Sequence, residues 1–131
     1  MENVDSNFTK VSELKTSSRG VNLRVHVLNI LEPRSVFSRY TGERHTVTEA
    51  LVGDDSGTVL LTLWDNDGEK VEVGKTYDLR NVRVTVFKNS IRLSLGRNGE
   101  ISESSIEVPV ESVNKDNNVS EKVVTRSRSY Y

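Results

Sequence analysis

The side chains best suited to chemistry in this sequence are two aromatic rings that end alternating segments. Trp64 ends the run Leu-Leu-Thr-Leu-Trp, and Phe87 ends the run Arg-Val-Thr-Val-Phe. In a strand, every second residue points to the same side. Trp64 therefore shares its side with Thr62, and Phe87 shares its side with Thr85 and Arg83. An exposed ring stacks on other planar rings, and a guanidinium attracts anions such as phosphate. These positions therefore predict binding rather than catalysis.

Basic residues are concentrated around the second ring. Residues 79–99 contain five bases and no acid: Arg80, Arg83, Lys88, Arg92 and Arg97. A second stretch, residues 33–48, has three arginines against one acid, Glu43, and interleaves them with two aromatic rings: Arg34, Phe37, Arg39, Tyr40 and Arg44. By contrast, residues 49–78 carry eight acids and two bases, and residues 100–112 carry four Glu and no base. The formal net charge of −1 therefore combines a basic and an acidic region, and the basic region suits a polyanion.

The sequence offers little to a catalytic or metal site. The absence of Cys excludes disulfides, thiolate metal ligands and a cysteine nucleophile. His26 and His45 lie in strand-like segments without partners at metal-ligand spacing, so solvent-facing or hydrogen-bonded histidines are expected. The acidic run 65–69 resembles the start of a calcium loop, but Lys70 stands where an EF-hand requires Gly. No nucleotide-binding or hydrolase motif occurs, so we expect no enzyme activity, no cofactor and no metal.

Alternation of apolar and polar residues predicts five short strands, at residues 21–27, 45–53, 59–64, 82–87 and 91–95. Polar breakers separate them: a loop at 33–42, a tight turn at 54–57 with Gly57 in the position that tolerates a positive φ, and a hairpin turn at 88–90. Five strands in about 80 residues leave no room for parallel crossovers. The sequence thus predicts an all-β, five-stranded antiparallel barrel, with the inward side of 45–53 left open.

The 131 residues suit one domain with extensions at both ends. We expect an N-terminal arm (1–20), a barrel domain (21–101), an acidic extension (102–111) and a flexible tail (112–131). In the arm, Phe8, Val11 and Leu14 are spaced for one short helical turn, while the tail is rich in Ser and Asn and ends in RSRSYY. No apolar run reaches the length of a membrane span and no signal peptide is recognisable, so an intracellular protein is expected.

Two interpretations of Trp64 and Phe87 remain open at this point. In the first, both rings pack beneath the N-terminal turn or the acidic extension and belong to the core. In the second, both rings are exposed beside arginines and form a binding surface, where a stacked nucleobase gains about 1–3 kcal/mol. The loop 33–42 is then either a solvated hairpin or a flap over a bound strand.

Two stretches carry a resemblance to a known family: VTEALVGDDSGTVLLTLWDND (47–67) and VEVGKTYDLRNVRVTVFKNSIRLSLG (71–96). Together they resemble the single-domain, replication-protein-A-like single-stranded DNA-binding proteins of archaea, whose eukaryotic relatives belong to DNA-damage sensor complexes. The resemblance runs from about Phe8 to Ile101 and implies an oligonucleotide-binding (OB) fold with bases stacked on Trp64 and Phe87. Where that family often has a further aromatic ring, this chain has Arg83, which can still stack on a base. The family's Gly-rich linker and acidic, partner-recruiting tip are missing.

The expected function is therefore largely sequence-independent binding of single-stranded DNA during replication, recombination or repair. Bases would stack on Trp64, Phe87 and Arg83, beside Thr62, Thr85 and Tyr40. Backbone phosphates would be attracted by Arg34, Arg39, Arg44, Arg80, Lys88 and Arg92. The resemblance also implies a monomer in the cytoplasm, associated with the nucleoid, and replication or repair proteins as partners. Two alternatives stay open: an RNA-binding OB protein, and an OB module that binds protein in a larger complex.

Overall fold

The computed structural model describes residues 8–96 and 98–121, which form an all-β fold. Seven strands occur in this part of the chain: β1 (Arg19–Ile30), β2 (Arg34–Phe37), β3 (Arg44–Asp54), β4 (Gly57–Trp64), β5 (Thr76–Phe87), β6 (Ser90–Ser94) and β7 (Glu100–Glu103). Five of them close a barrel in the order β1-β3-β4-β6-β5, because β5 also pairs with β1. The predicted five-stranded OB barrel is thus confirmed, although β4 and β6 pair in parallel rather than antiparallel. β2 and β7 are short additions, and β2 lies inside the predicted loop 33–42. Within the described ranges, no helix is long and apolar enough to cross a membrane.

The two longest strands close the barrel by pairing with two neighbours each. β1 pairs with β5 through its first half and with β3 through its second half, and the register shifts within each pairing. In β5, Asn81 has a φ of 57° and its N–H donates to Asn22 Oδ1 at 2.9 Å. Irregular residues of this kind bend a strand sharply, which a small barrel requires. As a result, Leu79 and Val82 both face the interior although they are three residues apart.

The core consists of aliphatic side chains from the inner side of every barrel strand. The largest fully buried ones are Leu23, Val25, Val27, Val52, Val59, Leu61, Leu63, Leu79, Val82 and Leu93. On β3, Ala50 and Val52 belong to this core, whereas Glu49 faces the other side of the sheet. Alternation could not establish the inward side of β3, because Val47 and Leu51 make its outer side apolar as well.

The N-terminal arm covers one end of the barrel. A 3₁₀ turn at Val11–Glu13 buries Val11 and Leu14, so the predicted short turn is confirmed. The backbone N–H of Val11 donates to the buried carboxylate of Asp54 at 3.1 Å, which ties the arm to the β3–β4 turn. Phe8 lies between two guanidinium groups, with ring-centroid distances of 4.3 Å to Arg24 and 5.2 Å to Arg80.

The C-terminal segment differs from the expected flexible tail of residues 112–131. Residues 112–121 pack on the barrel, where Val113 and Val119 are buried and the backbone N–H of Thr58 donates to Asn117 O at 2.9 Å. Composition misled the prediction, because two isolated valines among polar residues carry no periodic signal. The segment is held by backbone pairing at the edge of β4 rather than by an apolar face of its own. Residues 122–131 of the expected tail lie outside the described residues.

Two glycines of the β3–β4 hairpin make room for this C-terminal segment. Gly57 does not have the positive φ that the turn pattern would allow. A Cβ on Gly57 would instead lie 2.6 Å from Asn117 O, so this glycine is explained by the close approach of the C-terminal segment. A Cβ on Gly53 would lie 2.7 Å from Gly57 O and Thr58 Cγ2 within the hairpin itself, and 2.9 Å from Val113 Cγ1. Gly53 is thus required by the hairpin as well as by Val113.

Substitution of a buried valine in the C-terminal segment by alanine tests this packing. We expect Val119→Ala to lower the free energy of unfolding by about 1–3 kcal/mol, because Val119 is buried in the main core cluster. Val110→Ala is the matched control, since Val110 is 40% exposed and its loss should cost less than about 0.5 kcal/mol. Urea unfolding measures both. Equal stabilities for the two variants would contradict a packed segment.

Candidate nucleic-acid interface

The outer face of β4, β6 and β5 brings the predicted aromatic and basic residues together. Strand register places Thr62 beside Ser94, and Ser94 beside Arg83, in one row across the three strands. Trp64 and Phe87 lie on the same face and are 45% and 44% exposed. This exposure answers the question that the sequence left open, because packing beneath the N-terminal turn or residues 102–111 would have buried both rings.

A groove with a volume of about 400 Å³ runs across this face. Its lining residues are Arg34, Val36, Val47, Glu49, Thr62, Trp64, Arg83, Thr85, Val86, Phe87, Arg92 and Ser94. Trp64 also lines a neighbouring depression next to the β2–β3 hairpin, and Arg83 lines one that reaches Gly96 and Asn98. These depressions share Trp64 and Arg83 with the groove, so the concave surface extends towards the β2–β3 hairpin on one side and towards Gly96 on the other.

The Phe87 ring is surrounded by three cations. The distances to its ring centroid are 5.7 Å from Arg34 Cζ, 5.3 Å from Lys88 Nζ and 5.3 Å from Arg92 Cζ. At these separations each cation is attracted by the quadrupole of the ring. Lys88 and Asn89 form the hairpin turn with φ values of 52° and 65°, which confirms the predicted turn and holds Phe87 at its rim.

One carboxylate lies in the floor of the groove and was not anticipated. Glu49 forms ion pairs with Arg92 and with Arg34, the second at an N–O distance of 3.7 Å. Its side chain is only 9% exposed, and that of Arg92 only 15%. From the sequence, Glu49 was counted in the acidic stretch 49–78. Its place in the groove could not be predicted, because the outward side of β3 was not known. The ion pairs connect β2, β3 and β6 across the groove.

Trp64 is positioned from the side by a hydrogen-bonded pair, His45 and Asp65, that the sequence did not reveal. The His45 ring meets the Trp64 ring edge-on, at 6.1 Å between centroids and 81° between planes. His45 Nδ1 lies 2.9 Å from Asp65 Oδ2. The backbone N–H of Thr46, and then the His45 ring, stabilise the ionised carboxylate and hold the pKa of Asp65 below its ordinary value of 3.8. The partner of His45 is 20 residues away in sequence, so no local motif revealed it.

The remaining predicted site residues fall into two groups. Arg39 and Tyr40 line the depression next to Trp64 from the β2–β3 hairpin, and Tyr40 is 99% exposed. Arg44 begins β3 opposite Phe37 on the same hairpin. Arg80, in contrast, lies against Phe8 and 3.7 Å from a carboxylate oxygen of Asp78, outside the groove. The irregular residue at position 81 separates Arg80 from the row of Arg83. In the described part of the chain, no three His, Asp or Glu side chains are grouped to hold a metal.

The chain is similar to known proteins over most of its length. Residues 14–103 match the family described as single-stranded DNA binding protein Ssb-like, OB fold. The chain is similar to the single-stranded DNA binding protein Ssb of Saccharolobus solfataricus, with 36% identity over 96 residues, which is 73% of this chain and 64% of that protein. The chain thus spans less than two thirds of that relative.

A relative and a solved structure from Arabidopsis thaliana are matched over more of their length. The relative is an uncharacterized protein that is 32% identical over 122 residues, covering 86% of this chain and 78% of that protein. The solved structure is the solution structure of a hypothetical protein, which superposes with a TM-score of 0.74 at 28% identity. That superposition covers 100% of this chain and 92% of the other.

The ion pairs of Glu49 predict unequal effects of two arginine substitutions on stability. Arg92→Ala should lower the free energy of unfolding by about 3 kcal/mol, because it leaves a buried carboxylate without its nearer partner. Arg34→Ala should cost less than about 1 kcal/mol, because the Arg34 side chain is 46% exposed. Thermal or urea unfolding compares the two. A loss for Arg34→Ala as large as that for Arg92→Ala would contradict this assignment.

Proposed function

The chain belongs to the Ssb-like family of OB-fold single-stranded DNA binding proteins, and we propose that it binds single-stranded DNA along the groove between Trp64 and Phe87. Membership confirms the replication-protein-A-like resemblance inferred from the sequence. The observation that carries the proposal is the pair of half-exposed rings on one groove, with cations around the second ring. Binding is largely independent of sequence, because every base has a stacking face.

Stacking supplies the sequence-tolerant part of the binding energy. One base lies on Trp64 and another on Phe87, each contributing about 1–3 kcal/mol. Arg83 also lines the groove, on the same strand as Phe87, and offers a planar guanidinium as a third platform. A bound strand would also cover two large rings whose exposure to water is unfavourable. Thr62 and Thr85 line the floor between the platforms and leave room for bases.

Basic side chains attract the phosphates on either side of the bases. Arg34, Lys88 and Arg92 surround Phe87, and Arg39 and Arg44 approach from the β2–β3 hairpin beyond Trp64. Displacement of counterions from the strand makes binding weaken as salt rises, with a slope of about −0.7 per neutralised phosphate. Arg80 is left out of this set, because it lies against Phe8 rather than in the groove.

Glu49 opposes the same interaction from the floor of the groove. In the free protein it occupies Arg34 and Arg92, so a phosphate must compete with a carboxylate for both guanidinium groups. Its negative charge also repels the phosphate directly. The groove is therefore set for binding that is weaker, and less sensitive to salt, than the number of arginines suggests. Such binding suits a protein that holds single strands open in replication, recombination or repair and is then displaced by other proteins.

Fluorescence of Trp64, the only Trp in the chain, tests the proposal directly. Titration with oligo(dT) should quench it at low salt, with a smaller effect at high salt. We expect Trp64→Ala and Phe87→Ala each to weaken binding by roughly 5- to 150-fold in a gel shift, which corresponds to the loss of one stacked base. Arg80→Ala is the control and should bind within about twofold of the wild type.

Three results would bear against the proposal in different ways. No quenching at low salt together with no gel shift would overturn nucleic-acid binding altogether, and leave the protein-binding alternative. Equal losses for Arg80→Ala and Phe87→Ala would place the site on another face. A ribo-oligonucleotide of the same sequence that displaces the deoxy-oligonucleotide would replace DNA by RNA as the ligand, since only contacts to the 2′-hydroxyl separate the two.

Neutralising the carboxylate in the groove should strengthen binding. Glu49→Gln keeps a hydrogen-bond acceptor for Arg92 but removes the competing charge, and we expect an affinity gain on the order of fivefold at low salt. Glu103→Gln on β7 is the control, because Glu103 lies opposite Tyr77 outside the groove and should change affinity little. Oligo(dT) titration at a temperature where both variants are folded measures the effect. Unchanged or weaker binding by Glu49→Gln would contradict the competition.

A further inference from the structure

Two arginines on neighbouring strands face each other at the Gly96 side of the groove. Strand register places Arg19 of β1 directly opposite Arg83 of β5, and both side chains are exposed. They line one depression with a volume of about 510 Å³. We propose that Arg19 and Arg83 together hold a backbone phosphate of the bound strand, so that Arg19 is a further DNA-binding residue. The inference rests on the proposed function of the groove.

The charges of these two arginines are not compensated by acids of the barrel. Arg24 on β1 and Arg80 on β5 both pair with Asp78, at N–O distances of 2.9 and 3.7 Å. Among the described residues, by contrast, no carboxylate forms an ion pair with Arg19 or Arg83. Like charges on directly opposite residues of antiparallel strands repel and destabilise the pairing. An anion between the two guanidinium groups attracts both and offsets this repulsion.

The rest of the depression favours an anion as well. Its described lining contains no acidic side chain, and the residues beside the two arginines are Gly20, Asn81, Leu95, Gly96 and Asn98. Gly96 lies next to Arg83, because a Cβ at position 96 would be 3.5 Å from Nε of that guanidinium. A longer side chain there would shield Arg83 from a ligand. The glycine therefore leaves the guanidinium group accessible from the depression.

Strand register connects this depression with the groove. Thr62 lies opposite Ser94, Ser94 lies opposite Arg83, and Arg83 lies opposite Arg19, so one row of residues crosses β4, β6, β5 and β1. Each step between neighbouring strands is about 5 Å. Arg83 also lines, together with Trp64, a depression that adjoins the groove. A DNA strand that stacks a base on Trp64 and follows this row thus passes Arg83 and reaches Arg19.

Arg83 remains available to a phosphate while it stacks on a base. The plane of a guanidinium group stacks on a ring, whereas its N–H groups point outward in that plane and donate to phosphate oxygens. Asp67 lines the depression next to Arg83, but it pairs with Lys70 at 2.9 Å. Arg83 therefore contributes one charge to the phosphate site without giving up its stacking role, and Arg19 contributes the second.

Neutralisation of Arg19 in the full chain tests the inference. Arg19→Gln should bind oligo(dT) of about 15 nucleotides about two- to fivefold more weakly at low salt, as for one exposed ion pair, with a salt slope smaller by about 0.7. Quenching of Trp64 at saturation should be unchanged, because the base on that ring remains. Arg19→Lys keeps the charge and should retain the salt slope. Lys115→Gln is the control, since Lys115 is exposed and lines none of these depressions.

Stability of the free protein separates a binding role of Arg19 from a structural one. Because Arg19→Gln removes a like-charge contact with Arg83, its urea midpoint should equal or exceed that of the wild type. An affinity and a salt slope equal to those of Lys115→Gln would overturn the inference and leave the proposed function intact. A lower midpoint for Arg19→Gln would make Arg19 a structural residue and overturn the inference as well. A wild type in which oligo(dT) does not quench Trp64 would overturn the proposed function instead.

Discussion

Closure of a small barrel is the constraint on which the other features of this protein depend. β5 must pair with β1 as well as β6, and the interior of a five-stranded barrel is narrow. Aliphatic side chains such as Leu61 and Leu93 fill that interior, and the chain has few rings to add to it. Strand alternation then fixes the opposite side of β4 and β5, which leaves Trp64 and Phe87 at the surface. The binding face is in this sense a consequence of how the core is filled.

The charge of that face is determined by the fold rather than by the order of charged residues in the sequence. Grouping of bases in residues 79–99 correctly indicated a basic side of the barrel. The fold nevertheless places Glu49, from the acidic stretch, among Arg34 and Arg92 in the groove. It also places Arg80 outside the groove, in contact with Phe8. The effective charge of the groove is thus lower than a count along the chain suggests, and part of it is already neutralised internally.

A feature of the fold could be predicted from the sequence when the residues that indicate it lie close together along the chain. The five barrel strands, the hairpin turn at Lys88 and the outward rings were predictable, because a period of two is visible within a few residues, whereas β2 and β7 were not predicted. The inward side of β3 could not be predicted, because both of its faces are apolar. The packing of Val119 could not be predicted either, because it depends on a backbone pairing with β4, some 60 positions earlier in the sequence. The His45–Asp65 pair joins two strand ends in the same non-local way.

The segment that covers β4 also has a consequence for association between chains. An exposed strand edge presents unpaired backbone N–H and C=O groups, and other chains can pair with it and form aggregates. Along the start of β4, these groups are taken by Asn117 and Ser120 of the same chain. A chain ending at residue 103, where the family match ends, would lose this cover. It would present a free edge next to Val59, an open template for intermolecular β-sheet.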